Sequence, residues 1–142
     1  MRDPECVFCK IVAEEIPSVK IYEDEYALAF LDIAPLTKGH TLVVPRNHAK
    51  QIEHLSEKDN EKLWEMVRIV VPRLTEAMGA HGMTVAVNNG EAAGQEVAHV
   101  HVHLVPRLRD DGFGPIHDLF KGRRPETTHA ELAEIANRIR AV

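Results

Sequence analysis

The chain has 142 residues, 44% hydrophobic and 27% charged, a length and balance that suit one globular domain with a buried core. A formal net charge of −5 supplies no basic field for a long nucleic acid or an anionic membrane, so neither is an expected partner. No apolar run approaches the roughly 20 residues that span a bilayer, and the opening "MRDPECVFCK" lacks the apolar centre of a secretory signal, so the cytoplasm is the expected location.

The first chemical feature is the pair Cys6 and Cys9. In a reducing compartment C-x-x-C spacing points to a metal or a redox pair rather than a structural disulfide. No strand precedes it, unlike a thioredoxin-type site, which favours metal; plain reduced thiols remain the other reading. Next, "VKIYE" (19–23), "YALAFLD" (26–32) and "HTLVVP" (40–45) read as three short strands of an antiparallel meander, with Pro35 and Gly39 marking a loop.

From Ser56 the period changes. Ser56 and Asp59 resemble a capping box, and Leu63, Met66, Val67, Val70, Val71, Leu74 and Met78 recur at the spacing of a buried helical stripe that Gly79 would end. Pro72 inside that stripe predicts a kink or break near Arg68. "MTVAVN" (83–88) is a fourth strand, "NNGEAAGQEV" (88–97) a loop, and "HVHVHLVPR" (99–107) a fifth strand. The turn-rich "DDGFGPIHD" then leads to a last helix over 128–141, with Ala130, Leu132, Ile135 and Ile139 as its buried contacts. There is no internal repeat or polar linker, so the chain reads as one α+β domain over 1–142, with its core in 6–107 and a tail and helix in 108–142.

A strand sends alternate side chains to opposite faces, so His99, His101 and His103 share one face, and Val100, Val102 and Leu104 share the other. Two chemistries suit such a face. Imidazoles two apart can bind a metal, although histidines four apart have Cα atoms roughly 13 Å apart, which strains a single shared ion. Alternatively an imidazole, about three-quarters neutral at pH 7, is a nucleophile and, once phosphorylated, a leaving group. The glycine- and amide-rich loop just before the histidines favours the second, because glycine lets backbone N–H groups approach a phosphate. His54, His81, His117 and His129 read as surface or turn residues.

"HVHVHLV" resembles the His-x-His-x-His motif of the histidine triad (HIT) family. "FCKI", "IPSVKIYEDEYALAFLDIAPLTKGHTLVVPRNH" and "NNGEAAGQEVAHVHVHLVPR" extend the resemblance, to its Hint-like nucleotide-binding branch, over roughly 6–107. The resemblance implies a five-stranded antiparallel sheet with one long helix and a C-terminal helix, and a homodimer whose two sheets join into one. It implies a purine nucleotide such as AMP, or an adenylated substrate, as ligand. His101 would be the nucleophile that takes up the nucleotidyl group, His103 a phosphate contact, and His40 a fourth histidine beside His99, His101 and His103. Asn88, Gly94 and Gln95 match the phosphate loop, Asp32 the acid that holds the ribose hydroxyls, and Phe8, Ile11, Phe30 and Ile33 the walls of the base site. Glu96 stands where many members have serine, and a carboxylate beside a phosphate is repulsive unless protonated or turned away. Several bacterial members similar to this chain bind structural zinc, which here would use Cys6, Cys9, His48 and His99, and the resemblance implies catalysis that needs no metal.

The expected activity is therefore a nucleotide phosphoramidase or hydrolase. A dinucleoside polyphosphate hydrolase, a nucleotide-binding adaptor with little turnover, and a metal-dependent enzyme with the ion on His101 are the alternatives.

Overall fold

A computed structural model describes residues 1–142, which divide into two compact units, 1–111 and 112–142. In the first, β1 (Lys20–Glu23), β2 (Ala27–Leu31), β3 (Thr41–Pro45), β4 (Gly82–Ala86) and β5 (Val102–Arg107) form one antiparallel sheet in the order β1-β2-β3-β5-β4. The meander of the first three strands and the insertion of β5 between β3 and β4 put the end of the histidine segment on an interior strand, one in from the β4 edge. Leu42 pairs with His103 and Val43 with Val102.

Both faces of the central strands are covered, so β2 and β3 read as unbroken apolar runs rather than alternating ones. On one face lies α2 (Glu57–Met78), whose Leu63, Met66, Val70 and Leu74 pack with Ala27, Ala29, Val43, Val100, Val102 and Leu104. On the other lies α1 (Val7–Val12), whose Phe8, Cys9 and Ile11 pack with Leu28, Phe30, Leu42 and Val44. The start of α2 follows the sequence: Asp59 N–H donates to Ser56 Oγ at 3.0 Å, and Gly79 ends the helix in the left-handed region at φ 59°.

Several expectations need correction. The six-residue α1 went unforeseen; its N-cap is a cysteine, whose sulfur accepts the Cys9 N–H, and no sequence rule signals that. Pro72 does not break α2, which runs as one helix from Glu57 to Met78. Both Pro72 and Arg68, whose carbonyl loses its donor, are exposed, so water can satisfy the orphaned oxygen. The fourth strand lies one residue earlier at its start and ends at Ala86, not Asn88. The fifth begins at Val102, so only His103 of the three histidines is in a strand; Val100 N–H bonds to Ala49 O, outside the sheet ladder.

The second unit holds a 3₁₀ turn (Ile116–Phe120) and α3 (His129–Arg140), capped by Thr128 Oγ1 accepting the Glu131 N–H at 3.2 Å. Its expected buried contacts are exposed to solvent: Ala130, Leu132, Ile135 and Ile139, the last at 66%. A lone amphipathic helix has no second layer within its own unit to bury that stripe against.

Candidate active site and metal centre

The segment 97–101 brings His99 beneath the N-terminal helix. Its Nε2–H donates to Pro45 O at 2.8 Å, which leaves Nδ1 unprotonated, and the ring is fully buried. Around that lone pair stand Cys6 Sγ at 3.3 Å, Cys9 Sγ at 3.6 Å and His48 Nδ1 at 3.3 Å, with Cys9 Sγ and His48 Nδ1 3.4 Å apart. All four ligand atoms lie within 4.8 Å of one another. The edges of a tetrahedron around zinc are about 3.3 Å between nitrogens and about 3.6 Å between nitrogen and sulfur, given its bond lengths of about 2.0 and 2.3 Å. Four of the six ligand pairings thus already match the edges of a Cys2His2 metal site, and the other two lie within 4.8 Å.

The surroundings fit a cation as well. Asp3 N–H donates to Cys9 Sγ and Cys9 N–H to Cys6 Sγ, each at 3.4 Å, as backbone amides do toward thiolates. Burial pushes the Cys6 thiol pKa up, so a buried thiolate here calls for a positive neighbour. Burial also pushes the His99 pKa down to about 4, keeping it in the neutral form that ligates metals. The carbonyl of Pro45, which orients the ring, is a functional group that side-chain reasoning had no means to detect.

His101 is 93% removed from solvent, at 7% exposure, and its Nδ1–H donates to His99 O at 2.8 Å. The Phe8 ring sits edge-on to both His99 and His101, with centroids at 5.9 and 5.1 Å, so one side chain of α1 touches the metal cluster and the middle histidine together. His103 follows 4.9 Å away by ring centroid. His40, just before β3, places its Nε2 3.0 Å from His103 Nδ1, and its own Nδ1 accepts the Leu36 N–H at 3.1 Å. Burial lowers the pKa of His40, and burial together with the neighbouring histidines lowers that of His103 to about 4.

Asp32 stands at the end of β2 with Oδ1 accepting the Ala34 N–H at 2.9 Å and Oδ2 3.8 Å from His40 Nδ1. Asp32, His40 and His103 have ligand atoms within 4.8 Å of one another. The facing nitrogens are already spent on the His40–His103 and Leu36–His40 hydrogen bonds, so a chelated ion there would have to break both.

The loop before the histidines turns at Gly90 and Gly94, both with φ above 90°, which only glycine adopts without strain. The Gln95 side chain braces it: Oε1 accepts the Gly90 N–H at 2.7 Å, and Nε2 donates to Lys50 O and Val97 O at 2.7 and 2.9 Å. Its amide is therefore committed within the chain, whereas Asn88 is half-buried and Glu96 is exposed. Glu96 lines a cavity of about 300 Å³ with Asp3, Glu5, Cys6, Val7, Val97 and Ala98. Phe8, Ile11 and Phe30 are buried in one cluster, with the Phe8 and Phe30 rings edge to face at 5.7 Å. Ile33 is 98% exposed, outside that buried cluster.

The sheet, the histidine cluster leading into β5 and the buried Cys2His2 group define an α+β protein with a row of buried imidazoles adjoining a candidate metal centre. The chain belongs to the histidine triad family: the HIT domain model matches residues 13–110. It is 42% identical over 106 residues to the adenosine 5'-monophosphoramidase of Schizosaccharomyces pombe, covering 75% of this chain and 77% of that one. Among solved structures, a protein from Streptococcus mutans UA159 superposes with a TM-score of 0.88 at 40% identity, covering 98% of this chain and 85% of the other. A Zn-bound histidine triad family protein from Mycobacterium smegmatis superposes with a TM-score of 0.74 at 32% identity, covering 94% and 97%. No helix is long and apolar enough to cross a membrane.

Proposed function

We propose that the protein hydrolyses purine nucleoside phosphoramidates and related adenosine nucleotides through a nucleotidyl intermediate on His101. The observation that carries this reading is the His101 Nδ1–H bond to His99 O, which leaves the other ring nitrogen, Nε2, with an available lone pair in a mostly buried site. In the proposed reaction Nε2 attacks the α-phosphorus, the P–N bond breaks, and the amine departs with a proton from solvent. Water then attacks the same phosphorus, releasing AMP and restoring His101. His103 holds a phosphate oxygen, Asp32 the ribose hydroxyls, and Phe8, Ile11, Phe30 and Ile33 the base. Asn88 and the backbone around Gly94, Gln95 and Glu96 face the phosphates. The similarity to an adenosine 5'-monophosphoramidase supports the substrate class.

Incubation with adenosine phosphoramidate should release AMP, and His101→Ala should lower kcat by about 10⁴-fold or more, as loss of a nucleophile does. Unchanged turnover in that variant sinks the mechanism. Dinucleoside polyphosphates, assayed beside it, should be cleaved more slowly. The exposed carboxylate of Glu96 favours one second reading, a nucleotide-binding adaptor, which micromolar AMP binding without product from any adenylated substrate would support.

We further infer that Cys6, Cys9, His48 and His99 hold structural zinc, which would tie the N-terminal helix to the sheet and take no part in the chemistry. We also infer a homodimer in which the sheets join. The β4 edge, "GMTVA", carries no charge, whereas the β1 edge is guarded by Lys20, Glu23 and Arg46 ion pairs. Sedimentation equilibrium giving the mass of a single chain would refute the dimer.

A further inference from the structure

The two ends of the histidine network are main-chain groups, and a backbone N–H can only donate while a backbone C=O can only accept. The Leu36 N–H donates to His40 Nδ1 at 3.1 Å, so a neutral His40 carries its proton on Nε2. That Nε2–H is 3.0 Å from His103 Nδ1, which must accept it. A neutral His103 then carries its own proton on Nε2, an atom buried without any hydrogen-bond partner in the chain. Burial keeps both rings neutral, the condition under which these assignments hold. At the other end His99 O fixes the proton of His101 on Nδ1. Neighbouring rings therefore present opposite chemistry, a lone pair on His101 and an N–H donor on His103.

We propose that the main-chain amide of Leu36 is a positioning group: by occupying His40 Nδ1 it sets the tautomers of His40 and His103, so that His103 offers an Nε2–H donor beside the His101 lone pair. What that donor does in turnover rests on the reading under Proposed function; the tautomers themselves do not.

The amide is needed because a competitor stands close by. Asp32 Oδ2 lies 3.8 Å from His40 Nδ1 and would draw a proton to that nitrogen. His40 Nε2 would then be bare, His103 would turn its proton inward to it from Nδ1, and the outward nitrogen of His103 would lose its hydrogen. The loop delivers the right donor by elimination. The Ala34 N–H is held by Asp32 Oδ1, Pro35 has no N–H, and Leu36 supplies the next one. Three bonds brace that geometry: Asp32 N–H to His40 O at 2.9 Å, His40 N–H to Thr37 O at 3.1 Å, and Thr37 Oγ1 to Pro106 O at 2.8 Å.

Long-range ¹⁵N–¹H correlation spectra of the imidazoles in the metal-loaded protein test this directly. The wild type should show His40 and His103 protonated on Nε2 and His101 on Nδ1. Replacing the amide at residue 36 by an ester, with the leucine side chain retained, removes the donor alone and should invert both the His40 and His103 tautomers. Leu36→Ala keeps the amide and should leave them as they are. In the phosphoramidate assay the ester protein should lose kcat by about 10²-fold, the usual cost of one preorganised donor, with KM little changed. A wild-type His103 protonated on Nδ1, or an ester protein with unaltered tautomers, overturns the proposal. Inverted tautomers with undiminished kcat would support the assignment while refuting the role given to His103 in turnover.

Discussion

The buried His103 imidazole makes folding stability depend on pH. Burial and the charges of His101 and His40 lower its pKa to about 4, against about 6.5 for an exposed imidazole. Between those values the unfolded chain binds a proton that the folded chain refuses. Its contribution is therefore complete above pH 6.5 and is lost as pH falls toward 4. The wild type should lose about 1–2 kcal/mol from this one group between pH 7 and pH 5. His103→Gln should flatten the pH dependence by that amount, read as the difference in urea midpoints at the two pH values. An equal slope in both proteins would mean that His103 is solvated rather than buried. The same neutrality lets the imidazole pair work as fixed hydrogen-bonding groups across the physiological range, since neither ring need change charge.

At the scale of elements, α2 carries Pro72 where a helix interior ordinarily loses about 3 kcal/mol to the missing N–H and the ring clash. The helix nevertheless runs through, anchored by Leu63, Met66, Val70 and Leu74 in the core. Pro72→Ala restores the donor to the Arg68 carbonyl at an exposed position and should raise unfolding free energy by about 1–2 kcal/mol, measured by denaturant unfolding. A loss of stability would show that the proline shapes a bend the core depends on. The contrast among elements explains what the sequence could and could not reveal. The capping serine, the apolar stripe and Gly79 are local signals, and α2 was legible from them. The three meander strands were legible for the same reason, to within a residue or two. α1 was not, because its cap is a cysteine sulfur and its burial comes from the opposite face of a distant sheet. The alternation in "HVHVH" separated core valines from histidines, yet it could not reveal that the ladder starts only at Val102, since Val100 before it bonds to Ala49 rather than to a strand. The tautomer-setting groups, Leu36 N–H, His99 O and Pro45 O, belong to the main chain and leave no trace in residue identity.

Across the first unit as a whole, the four candidate metal ligands come from three separated stretches of chain: the N-terminal helix, the segment after β3 and the segment before β5. An ion held by Cys6, Cys9, His48 and His99 would tie position 6 to position 99 only in the folded state, so its binding free energy adds to folding. At free zinc a thousandfold above Kd that linkage is worth about 4 kcal/mol, which for a domain of this size corresponds to a Tm difference on the order of 10 °C. Treatment with a strong chelator should lower Tm by that order, and added zinc should restore it. The loss should also be ordered in space. Hydrogen exchange should rise first in α1, whose cysteines lose their tether, while β2 and β3, buried on both faces, stay protected. Because Phe8 lies between the cysteines and packs edge-on against His101, loosening α1 should also weaken AMP binding, measured by calorimetry without any turnover. Unchanged Tm and AMP affinity after verified metal removal would show that the two centres are independent, and that the cysteine–histidine cluster holds its shape through packing and thiol–imidazole bonds alone.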